Sequence, residues 1–587
     1  MTFPSRIRGG LTRRRFVTGI GAGGLLVSLP RSSHAFSSKA SSGIIPPMPS
    51  DRWDLKIGHT RISLDGKTMH APTAGGTVPG PILRWKQGDT VSINVTNTLN
   101  EPTSIHWHGI RTPSNMDGVP GLSFGGIAPG ETFTYRFKLH QSGTYWYHSH
   151  SGMQEAMGLY GAMVIDPRHP DPNACDRDYV IFLAEWTDVM PHDIVSNLKM
   201  QDDYYVFRQR TAASFPKEAR EAGSAGAALS DRLAWSKMRM AATDIADVSG
   251  AIYTYTLNGH APDMNWSGLF KPGEKVRLRF INGSTMTFFD VRIPGLEMLV
   301  VQADGNDIEP IPVDEFRIGV AETYDVIVQP KDDRAYAIFA QSEDRTGYAS
   351  GTLAPYEGMI APLPPMDPRP VRTMVDMGMG NMKPGESMQD MDMSADMSGM
   401  KMDGDVASMD MPKMEVDDPG PPPINVENQM RAMMPVDRTG SPGDGLENNA
   451  RRVLNYKQLR ATRPGADLRP PTREIILHLT GNMERYIWGM NGRKFSESGP
   501  IRLKLGERVR FTLINDTMME HPIHLHGLWS ELENGQGDYR PYKHTVISQP
   551  GSKLSYLVTA DTPGMWAYHC HLLYHMDLGM FRTVIVA

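Results

Sequence analysis

An internal repeat constrains the fold of this 587-residue chain more than any other feature. Residues 88–97 recur as residues 273–282 and again as residues 506–515, each a turn followed by apolar side chains at every second position. Such alternation predicts a half-buried β-strand. Copies that are 185 and 233 residues apart are too widely spaced for a solenoid. The sequence therefore predicts an all-β chain of three consecutive β-sandwich domains, and 57 glycines and 45 prolines suit its many turns.

The second spacing exceeds the first by 48 residues, which indicates an insert between the second and third domains. Thirteen of the 39 methionines fall between Met374 and Met414, among Asp, Gly, Ser and Lys and with few other apolar residues. A segment of this composition buries too little apolar surface to offset its ordering entropy. We therefore interpret it as a mobile, methionine-rich linker.

The N-terminus has the pattern of an export signal. Arg13, Arg14 and Arg15 precede a glycine-rich apolar stretch at 19–29 and a small-residue cleavage site that ends at Ala35. The paired arginines resemble a Tat signal, which predicts a periplasmic protein. The alternative, a membrane anchor, needs an apolar helix of about 20 residues. The stretch is too short for that, so no transmembrane span is expected in the mature chain.

These patterns divide the chain into five segments. They are an export signal at 1–35, a first domain at 36–168, a second domain at 169–356, a methionine-rich linker at 357–470 and a third domain at 471–587. The signal holds six arginines and no lysine or acidic residue, so its removal changes the formal net charge from −6 to −12. A strongly negative mature chain argues against nucleic acid as a partner and favours cationic substrates.

Four His-x-His pairs carry the chemistry. They are His106 and His108, His148 and His150, His524 and His526, and His569 and His571. Residues i and i+2 of a strand project to the same face, so each pair presents two imidazoles side by side. Eight converging imidazoles are too many for one ion and favour a cluster of several copper ions.

The pairs also follow the repeat. His106 comes nine residues after Asn97 and His524 comes nine residues after Asn515, whereas the matching position of the second copy is Val291. The first and third domains therefore each supply two pairs, and the second supplies none. We expect one cluster shared between the first and third domains, with the second as a spacer.

Cys570 lies between the two histidines of the last pair and should point away from the cluster. A second copper site is predicted around it from His521, His575 and Met580. Two imidazoles, one thiolate and a weak thioether are the ligands of blue copper. The backbone of Cys570 joins this site to the cluster through His569 and His571. The matching central residue of the first domain is Ser149, so one electron-entry copper is expected.

Together these motifs resemble the four copper motifs of multicopper oxidases, and they are most similar to those of the CopA-type bacterial copper-resistance oxidases. The resemblance implies three cupredoxin-like Greek-key β-sandwich domains and four copper ions, one type 1, one type 2 and two type 3. By family position the type 2 ligands are His106 and His524. The type 3 ligands are His108, His148, His150, His526, His569 and His571. The type 1 ligands are His521, Cys570, His575 and Met580.

Several functions remain open at this stage. The resemblance implies four-electron reduction of dioxygen to water coupled to one-electron oxidation of a small reducing substrate. Because thioethers prefer Cu(I), the methionine segment favours cuprous ion as that substrate, with periplasmic copper-handling proteins as partners. The alternatives are a laccase-type phenol oxidase and a copper-sequestering protein without turnover. The continuous His569-Cys570-His571 motif speaks against pure storage.

Dioxygen reduction also requires that protons reach the cluster. Family position makes Asp117 a candidate relay, while the alternative is that Asp117 and Gly118 only form a turn. Some laccases carry an acidic residue for proton delivery near the position of Tyr574, but here the nearest is Asp577. No metal role is predicted for nine other histidines, among them His59, His140, His260 and His544, and Cys175 is expected to be a bystander.

Overall fold

The computed structural model describes residues 52–206, 209–379, 414–447 and 449–587. The predicted export signal and the centre of the methionine segment, residues 380–413, lie outside the described residues. Three pairs of β-sheets follow one another along the chain, as the repeat predicts. No helix in the described part of the chain is long and apolar enough to cross a membrane.

The first sandwich packs two four-stranded sheets, with strand orders β2-β1-β4-β6 and β3-β8-β7-β5. Its strands are β1 (Arg52–Leu64), β2 (Lys67–Ala74), β3 (Gly80–Lys86), β4 (Thr90–Asn97), β5 (His106–His108), β6 (Thr132–Lys138), β7 (Gly143–His148) and β8 (Tyr160–Asp166). Along β1, Trp53, Leu55 and Ile57 are buried while the residues between them are exposed. This period of two buries one face of the strand and solvates the other.

The second sandwich has a six-stranded sheet, β10-β9-β12-β17-β14-β15, and a five-stranded sheet, β11-β19-β18-β13-β16. Its elements are β9 (Arg177–Trp186), α1 (Pro191–Met200), α2 (Phe215–Glu221), α3 (Ala225–Met238), β10 (Thr254–Leu257), β11 (Trp266–Leu269), β12 (Val276–Asn282), β13 (Phe289–Arg292), β14 (Met298–Ala303), β15 (Asn306–Val313), β16 (Glu315–Ile318), β17 (Thr323–Val328), β18 (Tyr336–Ser342) and β19 (Tyr348–Ala354).

The third sandwich has a seven-stranded sheet that runs β20-β21-β24-β29-β26-β27, with β22 paired to β21, and a five-stranded sheet, β23-β31-β30-β25-β28. Its elements are β20 (Glu415–Asp417), β21 (Arg473–Asn482), β22 (Ile487–Met490), β23 (Ile501–Leu503), β24 (Arg508–Asn515), β25 (His521–Leu525), β26 (Ser530–Leu532), β27 (Tyr542–Lys543), β28 (Thr545–Ser548), β29 (Lys553–Thr559), β30 (Gly564–Cys570), α4 (Leu573–Asp577) and β31 (Phe581–Val586).

Each copy of the repeat forms an equivalent strand, β4, β12 or β24, that ends in a fully buried asparagine. The side-chain amides of Asn97, Asn282 and Asn515 donate to distant carbonyl oxygens at 2.8, 3.0 and 3.0 Å. The side-chain oxygen of each accepts from the backbone N–H two residues later. The repeat is therefore a strand followed by an asparagine-centred turn, whose amide satisfies backbone groups that burial would otherwise leave unpaired.

Helices α1 to α3 interrupt the second sandwich between β9 and β10, and the sequence interpretation did not anticipate them. Helix α3 begins after Ser224, whose hydroxyl accepts from the backbone N–H of Ala227 at 3.1 Å, a favourable helix N-cap. Ile194 and Leu198 of α1 and Trp235 of α3 are buried. The chain that returns from α3 to β10 contains the buried residue Asp247.

The residues on either side of the undescribed stretch 380–413 pack against the second and third sandwiches. The N–H of Arg372 donates to the carbonyl of Ala242, and the N–H of Met434 donates to the carbonyl of Gly378 at 2.7 Å. Buried Asp376 forms an ion pair with Arg438. The methionine segment thus leaves and rejoins a packed surface at defined positions.

Candidate metal centres

The four histidine pairs meet between the first and third sandwiches. Strand pairing places His106 opposite His148 in the first and His524 opposite His569 in the third. The ring centroids of His106 and His526 are 3.9 Å apart, as are those of His108 and His524, and Nε2 of His150 lies 3.4 Å from Nε2 of His569. The structure thus brings together all eight histidines that the sequence pattern selected, from the two domains expected.

The inward nitrogens of this cluster fit a metal better than they fit hydrogen bonds. Buried ring nitrogens with no hydrogen-bond partner among the described residues are Nε2 of His106, His148, His524 and His571, and Nδ1 of His108. Burial, and then the neighbouring imidazoles, hold the pKa values of His108 and His524 well below the usual range. Neutral imidazoles with free lone pairs are copper ligands, whereas this many unpaired buried nitrogens would otherwise be costly.

The outward nitrogens are held by hydrogen bonds that fix each ring. Nδ1 of His106 contacts the carbonyl of Asp117 and Nδ1 of His526 contacts its carboxylate, both at 2.8 Å. Nδ1 of His148 lies 2.7 Å from the Glu155 carboxylate. Partners of this kind select the ring tautomer and direct the other nitrogen at the metal. Asp117 therefore bridges ligands from two domains, in addition to ending the short 3-10 helix Ser114–Met116.

A second group of candidate ligands surrounds Cys570 on the opposite side of β30. Its Sγ lies 3.5 Å from Nδ1 of His521 and 3.9 Å from Nδ1 of His575, and these two nitrogens are 3.3 Å apart. Met580 is fully buried, and its N–H donates to the carbonyl of His575 at 2.9 Å. Burial raises the pKa of the Cys570 thiol, so a metal is needed to hold this sulfur as a thiolate.

Three further residues hold the two imidazoles of the Cys570 site. Asp247 accepts from Nε2 of His575 at 2.7 Å, and the Thr517 hydroxyl contacts Nε2 of His521 at 2.7 Å. The indole of Trp488 stacks on His575 with centroids 3.7 Å apart. Asp247 reaches this site from the second sandwich, 328 positions away in sequence. No local motif marks it, so the sequence offered no signal for this contact.

The structure also adds residues near the imidazole cluster. Glu155 and His544 are buried and contact His148 and His108 respectively; an acidic residue five positions after His150 was the available signal for Glu155. Of the other histidines, His59 and His140 are exposed and His260 contacts the carbonyl of Asn258. Asp577, the acidic residue nearest to Tyr574, is exposed. Cys175 and Cys570 are both free thiols.

Three sandwiches that hold a thiolate–imidazole group beside an imidazole cluster define a class of copper-dependent oxidoreductases. Sequence profiles described as "Multicopper oxidase" match residues 56–170, 177–358 and 468–587. The chain belongs to the multicopper oxidase family, with three cupredoxin-like domains. Its cofactors are copper ions, and its substrates are dioxygen and a reducing compound.

The relatives of the chain extend over nearly its whole length. Copper resistance protein A of Escherichia coli is 52% identical over 602 residues, which cover 98% of this chain and 99% of that protein. The protein of the same name in Pseudomonas syringae pv. tomato is 50% identical, with 98% and 99% covered. The crystal structure of Fet3p, a multicopper oxidase that functions in iron import, matches with a TM-score of 0.62 at 19% identity, covering 91% of this chain and 90% of that one. This likeness shows the shared fold.

Proposed function

We propose that this protein is a periplasmic cuprous oxidase of copper resistance, which oxidises Cu(I) to Cu(II) and reduces dioxygen to water. Four coppers are proposed, in the arrangement that the motifs imply. The type 1 ion is held by His521, Cys570, His575 and Met580. The type 2 ion is held by His106 and His524. The type 3 pair is held by His108, His148, His150, His526, His569 and His571.

When bound, the coppers would take up electrons one at a time from four cuprous substrate ions and pass them to dioxygen, which also takes up four protons to give two water molecules. The chain supplies the arrangement around them. Cys570 is bonded through the backbone to His569 and His571, which face the cluster, so one strand connects the two centres covalently. Asp117 holds ligands from both domains in position, and its carboxylate is our candidate for carrying protons to the cluster.

The main evidence for a cationic substrate is the contact between His575 and Asp247. His575 is fully buried, and its outer nitrogen is bonded to a buried carboxylate that also accepts from the Tyr486 hydroxyl at 2.7 Å. An oxygen of Asp247 and one of Asp244 have no hydrogen-bond partner among the residues described. A buried carboxylate bonded to the ligand favours a small cation, whereas a phenol needs an apolar groove that reaches the imidazole edge.

The ends of the methionine segment support the same substrate. Arg372, two residues before Met374, donates from its backbone to Ala242 at 2.8 Å and from its side chain to Ile245 at 3.3 Å, next to Asp244 and Asp247. Beyond the segment, the N–H of Ala432 donates to Asp516, beside the Thr517 that contacts His521. Thioethers tethered at this place would raise the local concentration of Cu(I) at the electron-entry site.

The test compares oxygen uptake with Cu(I) and with a phenol on copper-loaded protein. Deleting residues 380–413 leaves the packed flanks intact, and we expect it to lower Cu(I) oxidation while sparing phenol oxidation. A matched variant keeps the length of this stretch but changes its nine methionines to glutamine; it should behave like the deletion. Equal loss of both activities would contradict recruitment by the thioethers.

The same measurement distinguishes the proposed function from two others. A large preference of the intact protein for the phenol would establish a laccase-type enzyme. Tight copper binding without oxygen uptake would indicate sequestration. The names of the copper resistance relatives support the first proposal, because these proteins match the chain from end to end.

A further inference from the structure

His544 is a ninth histidine in contact with the imidazole cluster. It lies between β27 and β28 and is 3% exposed. Its Nδ1 lies 3.1 Å from Nε2 of His108, and its main-chain carbonyl accepts from Nδ1 of His524 at 2.5 Å. One ligand atom each of His108, His524 and His544 fall within 4.8 Å of one another. The ring therefore lies within reach of the cluster ligands without belonging to any His-x-His pair.

The other ring nitrogen of His544 faces a cavity. Nε2 is buried and has no hydrogen-bond partner in the described part of the chain. The cavity has a volume of about 10 Å³, room for roughly one water-sized particle, and is also lined by His106, His524 and His526. Gly109 leaves room for the ring, because a Cβ at that position would lie 2.5 Å from the His544 ring. With its proton on Nδ1, directed to the Thr545 hydroxyl oxygen at 3.1 Å, the ring presents the lone pair of Nε2 to the space in front of the proposed type 2 ligands.

This cavity adjoins the protein surface. Arg111 and Trp529 line both the cavity and a surface cleft with a volume of about 820 Å³. The Arg111 guanidinium lies 5.7 Å from the centre of the Trp529 ring and donates to the Thr562 hydroxyl at 3.0 Å. The cleft and the cavity that His544 lines thus share these two side chains, which makes the cleft the nearest surface from which an ion could enter.

We propose that His544 is an entry ligand for the metal of the type 2 site. Its Nε2 binds a copper ion that arrives through the cavity and transfers it, by exchange of one imidazole for another, to His106 and His524. The exchange changes neither the oxidation state nor the number of protons, so no further reactant is required. The proposal goes beyond the oxidase function, since it concerns how the centre is loaded and not what the loaded centre oxidises.

The test follows metal uptake instead of turnover. Holoprotein is depleted of type 2 copper with a chelator, and cuprous ion alone is then added without oxygen. After reoxidation, the type 2 electron paramagnetic resonance signal and the copper content per chain are measured against time. The blue absorbance of the type 1 site reports that each variant is folded.

Two substitutions of similar volume isolate the donor atom. We expect His544→Leu to slow the return of the type 2 signal by about tenfold, the size of effect typical for residues that support a metal site. His544→Met restores a copper-binding sulfur and should load at nearly the wild-type rate.

Other results would overturn the proposal. Normal uptake by His544→Leu would show that no entry ligand is needed at this position. Equal slowing by the Leu and Met variants would show that the effect arises from the packing of His108 and not from a donor atom at position 544. Either outcome leaves the cuprous oxidase proposal untouched, because cuprous oxidation is not the quantity measured.

Discussion

At the scale of single residues, Cys570 separates the two centres by the direction of its side chain. Its sulfur approaches His521 and His575, while the flanking His569 and His571 face the opposite way, toward His526 and His108. Side chains alternate between the faces of a strand, so three consecutive residues reach two different sites. The same alternation explains why four short motifs in the sequence suffice to locate a large part of the site.

Replacing Cys570 by serine should abolish the blue centre. Serine keeps the size of the side chain but supplies no thiolate, so the intense sulfur-to-copper absorption should disappear. Oxygen uptake should fall by more than about 100-fold, the upper range for loss of a residue that only supports a metal ligand. Cys175→Ser serves as the control and should retain both properties. Turnover that persists without the sulfur would contradict the assignment of this site.

Removing the charge of Asp247 should weaken the oxidation of Cu(I) and leave the oxidation of a phenol unchanged. Asp247→Asn keeps the hydrogen-bonding shape beside His575 but removes the carboxylate that we propose attracts the cation. We expect KM for Cu(I) to rise about tenfold with phenol oxidation unchanged, as measured by steady-state oxygen uptake. Asp577→Asn, on the exposed end of α4, is the matched control and should alter neither. A parallel loss with both substrates would mean that Asp247 acts only on the structure of His575.

At the scale of elements, the repeated strand shows what periodicity predicts and what it leaves out. Alternating apolar residues locate β4, β12 and β24, and a fixed offset from their terminal asparagines locates two histidine pairs. Helices α1 to α3 follow no such repeat. The chain between α3 and β10 supplies Asp247, which contacts His575, 328 positions away in sequence. Glu155 and His544 likewise acquire their positions from tertiary packing. Local sequence determines which ligands share a face, whereas the hydrogen bonds that orient those ligands depend on how the domains pack.

Replacing the asparagine at the end of the second repeat should destabilise the folded protein. Asn282→Ala leaves the carbonyls of Thr287 and Ile318 without the amide donor that they share. Each buried unpaired group costs about 1–3 kcal/mol, so the free energy of unfolding should fall by about 3 kcal/mol. Chemical denaturation of copper-free protein measures this. The exposed amide of Gln329 donates to Gly273 in the same domain, and Gln329→Ala should change stability by less than about 0.5 kcal/mol.

At the scale of the whole molecule, a buried ion network joins the first two sandwiches. Asp178 of β9 accepts from Arg84 of β3 at 2.9 Å and from Arg279 of β12 at 2.6 Å. Burial alone would raise the pKa of Asp178, but the two guanidinium groups outweigh it and lower the pKa to about 2. The carboxylate therefore stabilises the folded protein above its unfolded pKa of about 3.9, and this contribution is lost as the pH falls toward 2.

Asp178→Asn should therefore destabilise the protein in a pH-dependent way. Removing one partner of a buried ion pair costs about 3 kcal/mol at neutral pH, because the guanidinium charges stay buried. The difference from wild type should shrink between pH 4 and pH 2, where the wild-type carboxylate takes up its proton. Urea unfolding of copper-free protein across this range measures both. A difference that stays constant with pH would show that shape, and not charge, is what the substitution removes.

The location of the imidazole cluster between two domains also determines when the proposed oxygen chemistry can start. Half of its histidines come from the first domain and half from the last, so no fragment that lacks either end of the chain holds a complete set. A truncated or half-folded product therefore presents at most four of the eight imidazoles together and cannot complete the cluster. We expect the proposed reduction of dioxygen to begin only once both ends of the chain have folded against each other.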